Sequence, residues 1–340
     1  MKKTLMSFAA IMALTTGLSA DALIDQATKA GLKPIPGDKA ALMKLIDNPK
    51  NPITDAKVKL GTKLYLEPRL SKSGLISCNT CHNLGLGGVD GVSAATGHKW
   101  TANPHHLNSP TVYNAVFAEK QFWDGRSPDL EDQAQGPMQA APEMAITKEM
   151  AVERISSMPA YTEAFKKIYG DDKITFERIA DTIASFERTL VTPGKYDAFL
   201  AGDSSVLNKE EKEGLKTFID KGCVSCHTGI ALGGSMQPFP AVKPFKYANV
   251  GDFKGDKNGM VKVPTLRNIT ETAPYFHNGT VWSLAEAVKI MGETQLGIDL
   301  DDKETASIVT FLKALDGRKP EVTYPQFPAS TDKTPKPVMN

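Results

Sequence analysis

Cys78-Asn79-Thr80-Cys81-His82 and Cys223-Val224-Ser225-Cys226-His227 use all four cysteines of the chain, and no other feature limits its fold so tightly. In a C-x-x-C-H run the two thiols form thioethers to the vinyl groups of a porphyrin, and the adjacent imidazole reaches its iron. A zinc ribbon would need its second cysteine pair within roughly 15 to 20 residues. These pairs lie far apart, each with its own histidine, and no strand-rich pattern surrounds them to suggest a thioredoxin-like dithiol. Two covalent c-type haems are therefore expected.

The 340 residues suffice for two domains of ordinary size, and a net charge of +1 gives no reason to expect nucleic acid as a partner. Lys2 and Lys3 precede an apolar run over residues 5–18, and the small residues Ser19, Ala20 and Ala22 follow. Charge, short apolar core and small-residue cleavage site, in that order, mark residues 1–22 as a secretory signal peptide. The run is short for the ~20 apolar residues of a spanning helix. Export suits a chain whose haems are attached on the outer side of the bacterial inner membrane, so a soluble periplasmic protein is expected.

Asp38 can cap a helix that runs to Ile46, and Thr54 one that runs to Tyr65 with Val58, Leu64 and Tyr65 as its apolar stripe. The second motif has the same preface: Asn208 and Glu211 read as a capping box, with Leu215, Phe218 and Ile219 behind them. Closing helices carry Ile179, Ile183, Phe186 and Leu190 after Thr175, stopped by Pro193-Gly194, and Ile308, Phe311, Leu312 and Leu315 before Gly317. An opening helix, haem motif, loop and closing helix is the plan of a cytochrome c domain.

The halves also match beyond the cysteines. Gly85-Leu86-Gly87-Gly88 corresponds to Ala231-Leu232-Gly233-Gly234, and Pro110-Thr111-Val112-Tyr113-Asn114 to Pro264-Thr265-Leu266-Arg267-Asn268. Without a gap, Phe122-Trp123-Asp124-Gly125 then falls on Phe276-His277-Asn278-Gly279. The expected fold is all-α: two tandem cytochrome c-like domains, residues 23–193 and 194–318, related by internal duplication. Residues 319–340, rich in Pro, Thr and Lys, form an extended tail that Tyr324 and Phe327 could anchor.

The sixth ligand of each iron decides between electron storage and chemistry, because a methionine sulfur raises the potential and a second imidazole lowers it. Met236, Met260 and Met291 are the candidates in the second half. Met236 lies too close to His227 to cross the haem, and Met291, just before the closing helix, is favoured over Met260, with a packed core methionine as the alternative. In the first half His98 follows a Gly-rich stretch over residues 85–97 that can deliver or withdraw a side chain. Met138 and an open position are its alternatives, and His105 and His106 are expected on the surface. Met291 falls opposite Pro137, within residues 133–144, so the first haem faces Gln133, Met138 and Glu143 instead.

Over residues 42–327 these sequences resemble the bacterial dihaem cytochrome c peroxidase family. The likeness is carried by the first motif with Gly85-Leu86-Gly87-Gly88-Val89-Asp90-Gly91, by Asn108-Ser109-Pro110-Thr111-Val112 and by Gln121-Phe122-Trp123-Asp124-Gly125-Arg126. Val263-Pro264-Thr265-Leu266-Arg267-Asn268 and Tyr275-Phe276-His277 complete it, while residues 103–106 depart from the pattern. The resemblance implies reduction of hydrogen peroxide to water with electrons from a small cytochrome c or cupredoxin. It implies His82 and His98 on the peroxidatic haem, His227 and Met291 on the high-potential haem, Glu143 as acid-base residue, Gln133 beside it and Trp123 between the haems. It also implies a homodimer and one calcium ion held by Asn108 and the carbonyls of Thr272 and Pro274. Reduction of the Met291 haem would release His98. A passive dihaem electron carrier has no use for Glu143, and the related maturases that oxidise protein tryptophans carry a tyrosine at the Met291 position.

Overall fold

The structure is a computed structural model that describes residues 20–339. Its helices run, in chain order, α1 (Ala20–Lys29), α2 (Lys39–Ile46), α3 (Asp55–Tyr65), α4 (Cys78–Cys81), α5 (Leu130–Gln133), α6 (Gln135–Gln139) and α7 (Lys148–Ser156). They continue through α8 (Pro159–Tyr169), α9 (Phe176–Glu187), α10 (Lys195–Leu200), α11 (Lys209–Asp220), α12 (Leu284–Met291) and α13 (Asp302–Lys313). Apart from isolated bridges, the described residues depart from an all-α chain in one antiparallel ribbon, β1 (Met236–Pro238) with β2 (Met260–Lys262), in which Met236 faces Lys262.

Side-chain caps start the long helices where the sequence places them. Thr54 accepts from the Lys57 N–H and Thr175 from the Arg178 N–H, while Asn208 with Glu211 and Asp301 with Glu304 close reciprocal boxes. Two helix crossings then organise two cores. In the first, α3 meets α9 so closely that a Cβ on Gly61 would stand 2.7 Å from Phe186 Cβ and against the Thr182 carbonyl. In the second, α11 meets α13, and a Cβ on Gly214 would stand 2.8 Å from Phe311 Cβ and against the Ser307 carbonyl. Leu64, Tyr65, Ile155, Phe165 and Ile183 fill the first core; Leu215, Phe218, Ile308, Phe311 and Leu312 fill the second. Each such side chain contributes roughly 1.5–3 kcal/mol by leaving water.

The same backbone devices recur in both units. Asn114 and Asn268 adopt left-handed φ values of 62° and 58°, and Phe122 and Phe276 values of 65° and 70°. Isolated bridges join Gln121 to Ser127 and Tyr275 to Val281. Asparagine tolerates the left-handed region better than other side-chain-bearing residues, and here the two amides converge on the linker: Asn114 and Asn268 donate to the Thr192 hydroxyl at 2.8 and 2.9 Å.

The ends of the chain cross over. Residue 23 onward was expected in the first unit, yet Leu23, Ala27 and Leu32 pack in the second core, and Gly229 N–H donates to Gly31 O at 2.9 Å. The expected tail is extended but seated on the first unit. Val322 and Phe327 pack against that core, buried Arg154 donates to Lys336 O at 3.0 Å, and Val338 N–H donates to Lys72 O at 2.9 Å. Tyr324, 68% exposed, meets only the edge of Phe327 among the described rings. Helix α9 ends at Glu187 instead of continuing through Leu190, since the Thr189 and Leu190 N–H groups tighten to three-residue bonds with Phe186 O and Glu187 O at 2.9 Å, and the Leu190 carbonyl accepts from Asn114 N–H at 2.8 Å. Residues 1–19 of the expected leader lie outside the described residues, and Ala20 opens α1. Among the described residues no helix is long and apolar enough to cross a membrane.

Candidate active site

Helix α4 is a single turn, opened where Ser77 N–H donates to the Thr80 hydroxyl at 3.0 Å and closed where His82 N–H donates to Cys78 O at 2.9 Å. That turn sets Cys78 and Cys81 beside one another with His82 below them. Tyr65 OH donates to His82 O at 2.6 Å, tying the turn to α3. At the second motif Gly222, with φ of 85°, reverses the chain into a short 3-10 turn over Cys223–Ser225, and His227 N–H donates to Cys223 O at 3.1 Å. All four thiols are free.

Both histidines are oriented in the same way. His82 Nδ1 lies 2.8 Å from Pro110 O and His227 Nδ1 lies 3.0 Å from Leu232 O. An imidazole that donates through Nδ1 to a carbonyl presents a neutral Nε2, the usual arrangement of a metal-bound histidine. Burial pushes both rings below the ordinary imidazole value, with the carbonyls opposing it. Paired free thiols and an aimed imidazole fit a c-type haem at each motif.

Above His227 opens a cavity of about 210 Å³ lined by Cys223, Cys226, Phe218, Ile308, Leu312 and Met291. Met291 ends α12 and continues into a π-turn over Gly292–Leu296. Ser283 caps that helix, and Leu284, Ala287, Val288 and Met291 repeat at helical spacing. That spacing marks a helix of its own before the closing helix, with Met291 at its end. The other candidates go elsewhere: Met260 belongs to the ribbon, and Met236 turns its sulfur toward Gly125, whose Cβ would stand 2.6 Å from it.

On the first unit the loop after the Gly-rich stretch folds back over the motif. Cys81 Sγ lies 3.7 Å from Thr96 O, and His98 N–H donates to Glu143 O at 2.8 Å. Gly97 admits this approach, since a Cβ would strike the Pro142 carbonyl. The His98 ring is buried and its Nδ1 has no partner among the described residues. Burial, then Lys99 and Lys72, hold it below the ordinary imidazole value. It lines a cavity of about 320 Å³ with Lys72, Gln139 and Pro142. Burial raises the Glu143 carboxyl above its ordinary value against the pull of Arg126, and the field of that carboxyl reaches both Cys78 and Cys81. Thus the Glu143 carboxyl stands near the first cysteine pair, while His98 joins it through backbone atoms and turns its ring into a cavity lined by neither cysteine nor by His82 or Glu143. Gln133 ends α5 half-buried, and its side chain makes no hydrogen bond to Glu143 or His98 among the described residues. Met138 packs in the first core. His105 is exposed and paired with Asp252 at 2.9 Å, whereas His106 is half-buried with an enclosed, unpartnered Nδ1.

Between the units stands Trp123, whose indole N–H donates to Asn108 O at 2.9 Å. Its ring meets His277 edge to face. Asn108 is buried, and its amide donates to Pro274 O at 2.7 Å and Phe276 O at 3.1 Å. Sequence reasoning passed over two buried ionisable residues nearby, Lys262 and Glu187, because burial of a charged residue leaves no mark in local sequence.

Residues 55–205 match the family model described as di-haem cytochrome c peroxidase, and residues 211–316 the model described as cytochrome c. The chain is 44% identical to the cytochrome c551 peroxidase of Pseudomonas aeruginosa, over 98% of this chain and 96% of that protein. It is 47% identical to the cytochrome c551 peroxidase of Nitrosomonas europaea, over 82% of this chain and 85% of that protein. Among solved structures, a MauG-like protein associated with microbial copper homeostasis shares the fold, with a TM-score of 0.70 at 24% identity over 80% of this chain and 92% of that one.

Proposed function

This chain belongs to the di-haem cytochrome c peroxidase family, and from that premise we propose how its two sites divide the reduction of hydrogen peroxide to water. It is a cytochrome c peroxidase carrying two c-type haems. In our reading Cys78, Cys81, His82 and His98 hold the peroxidatic haem, and Cys223, Cys226, His227 and Met291 hold the high-potential haem. The bound haems supply irons that exchange single electrons and, at the first site, a position where peroxide can sit.

The chain's own residues do the rest. With a haem bound, the Met291 sulfur would favour its reduced state at the second site. With a haem bound, His98 would close the first site at rest, and its glycine-rich loop would be the two-state segment able to withdraw it. Glu143 then takes a proton from one peroxide oxygen and returns it to the other, so the departing oxygen leaves as water. One peroxide, two electrons and two protons give two waters. Trp123 bridges the sites, and Gln133 completes the peroxide pocket.

The observation that carries this reading is the asymmetry of the two sites: His227 shares its cavity with Met291, whereas the loop of His98 is bonded to the backbone of Glu143. Peroxide turnover tests it, with Glu143→Gln expected to abolish most activity while both haems stay attached. Retained activity in that variant would remove Glu143 from the acid-base role, and a wild type that turned over no peroxide would favour a passive electron carrier.

The paired left-handed asparagines and matched glycine crossings support an origin by internal duplication, with units near residues 23–193 and 194–318 followed by the tail. Of the calcium ligands the resemblance implies, Asn108 and Pro274 meet, since the Pro274 and Phe276 carbonyls converge on the Asn108 amide and rotating that amide would turn Oδ1 toward them, whereas no contact among the described residues brings the Thr272 carbonyl there. A chelator that altered neither activation nor subunit association would remove this ion. A leader over residues 1–22, periplasmic location, a small cytochrome c or cupredoxin as donor and a homodimer complete the proposal.

A further inference from the structure

Apart from histidines, Lys262 is the one charged residue among the described residues that lines the cavity of His227 and Met291, and only 9% of it is exposed. The ribbon fixes its direction. Paired residues of antiparallel strands share a face, so Lys262 stands with Met236, whose sulfur lies at Gly125. The backbone agrees, since Lys262 N–H donates to Trp123 O at 2.7 Å. The side chain therefore leaves the second unit toward the first, beside Trp123, and its charge is felt at His82.

Its ammonium makes no hydrogen bond or ion pair among the described residues. Asp124, the acid whose field reaches it, is engaged by Arg126 at 2.8 Å. Burial pushes the Lys262 ammonium down to about 8. A buried cation is costly unless an anion meets it, and the protein provides none in contact. A c-type haem brings its own, because each porphyrin carries two propionate carboxylates.

We propose that Lys262 binds a haem propionate at the boundary between the two units. This rests on the two-haem reading above and adds a binding residue to it. An ammonium beside a propionate opposes the positive charge of ferric iron, so Lys262 raises the midpoint potential of the haem whose carboxylate it holds.

The test is an optical redox titration of holoprotein carrying Lys262→Met or Lys262→Arg, with covalent haem content measured by mass. The Met variant is expected to shift one midpoint to lower potential and the Arg variant to keep it near the wild-type value. A shift at the methionine-ligated haem assigns the propionate to the second site; a shift at the other haem assigns it to the first. Should the Met variant fail to retain both haems, Lys262→Gln removes the charge while keeping a polar head. Neutral variants with both midpoints unchanged would overturn the proposal. Wild-type peroxide turnover is read separately, so its failure would strike the peroxidase reading and leave the comparison of midpoints intact.

Discussion

Trp123 and His277 meet edge to face across the boundary between the units, with ring centroids 6.4 Å apart. The indole cannot swing freely, because its N–H is held by Asn108 O at 2.9 Å and its own carbonyl accepts from Lys262 N–H at 2.7 Å. An aromatic fixed by bonds from both units suits a bridge between two redox centres. Trp123→Ala is expected to slow electron transfer from the second site to the first by on the order of tenfold, the factor that 1.4 kcal/mol makes. Trp123→Phe should retain most of it. Stopped-flow spectra after mixing with reductant would read both rates.

Glu143 is held by the turn in which its N–H donates to Ala140 O at 2.9 Å and its carbonyl accepts from His98 N–H at 2.8 Å. Replacing it by Gln keeps those backbone bonds and removes only the base. The kcat for peroxide should fall by about 10²–10⁴, the usual value of a positioned acid-base group. Haem content and both midpoints should be unchanged, which separates a lost proton carrier from a damaged fold.

Glu187 makes stability depend on pH. It is 6% exposed, its Oε2 has no partner among the described residues, and burial, reinforced by Glu131, pushes its carboxyl up to about 8. Between its unfolded value near 4.5 and about 8, the folded chain keeps a proton that the unfolded chain releases. The unfolded state binds fewer protons there, so stability falls as pH rises through this window and levels off above it. The loss is at most a few kcal/mol. Unfolding midpoints taken between about pH 4.5 and pH 9 should fall for the wild type and stay flatter for Glu187→Gln.

Gly61 and Gly214 are expected to resist even a methyl group. An alanine raises helix propensity by about 1 kcal/mol. At these crossings, though, its Cβ would stand 2.7 Å from Phe186 Cβ or 2.8 Å from Phe311 Cβ and press on a helix carbonyl. Overpacking of that type costs about 1–3 kcal/mol, so each Gly→Ala change should lower the thermal midpoint and never raise it.

Local features were legible in the sequence and distant ones were not. Thr54, Thr175 and Asn208 announce helices because a cap acts on backbone three residues away. The haem motifs are likewise written within five residues. By contrast, the apolar stripe of α1 says that one face is buried without saying against which unit, and it lies on the second. The tail lacks helical period, so nothing local foretold that Arg154 would reach Lys336 O. His98 and Glu143 meet through backbone atoms, which leave no trace in side-chain identity. Lys262 reads as a surface lysine until its strand pairing turns it inward.

The central claim is that the two sites differ, with Met291 keeping one saturated and His98 able to vacate the other. The most direct measurement is the spectrum of the protein after one electron per molecule, followed by peroxide. The account predicts that the methionine-ligated haem is reduced, that the other ferric haem loses its sixth ligand, and that peroxide then changes its spectrum at once. A ferric haem that stays six-coordinate and indifferent to peroxide after its partner is reduced would contradict it.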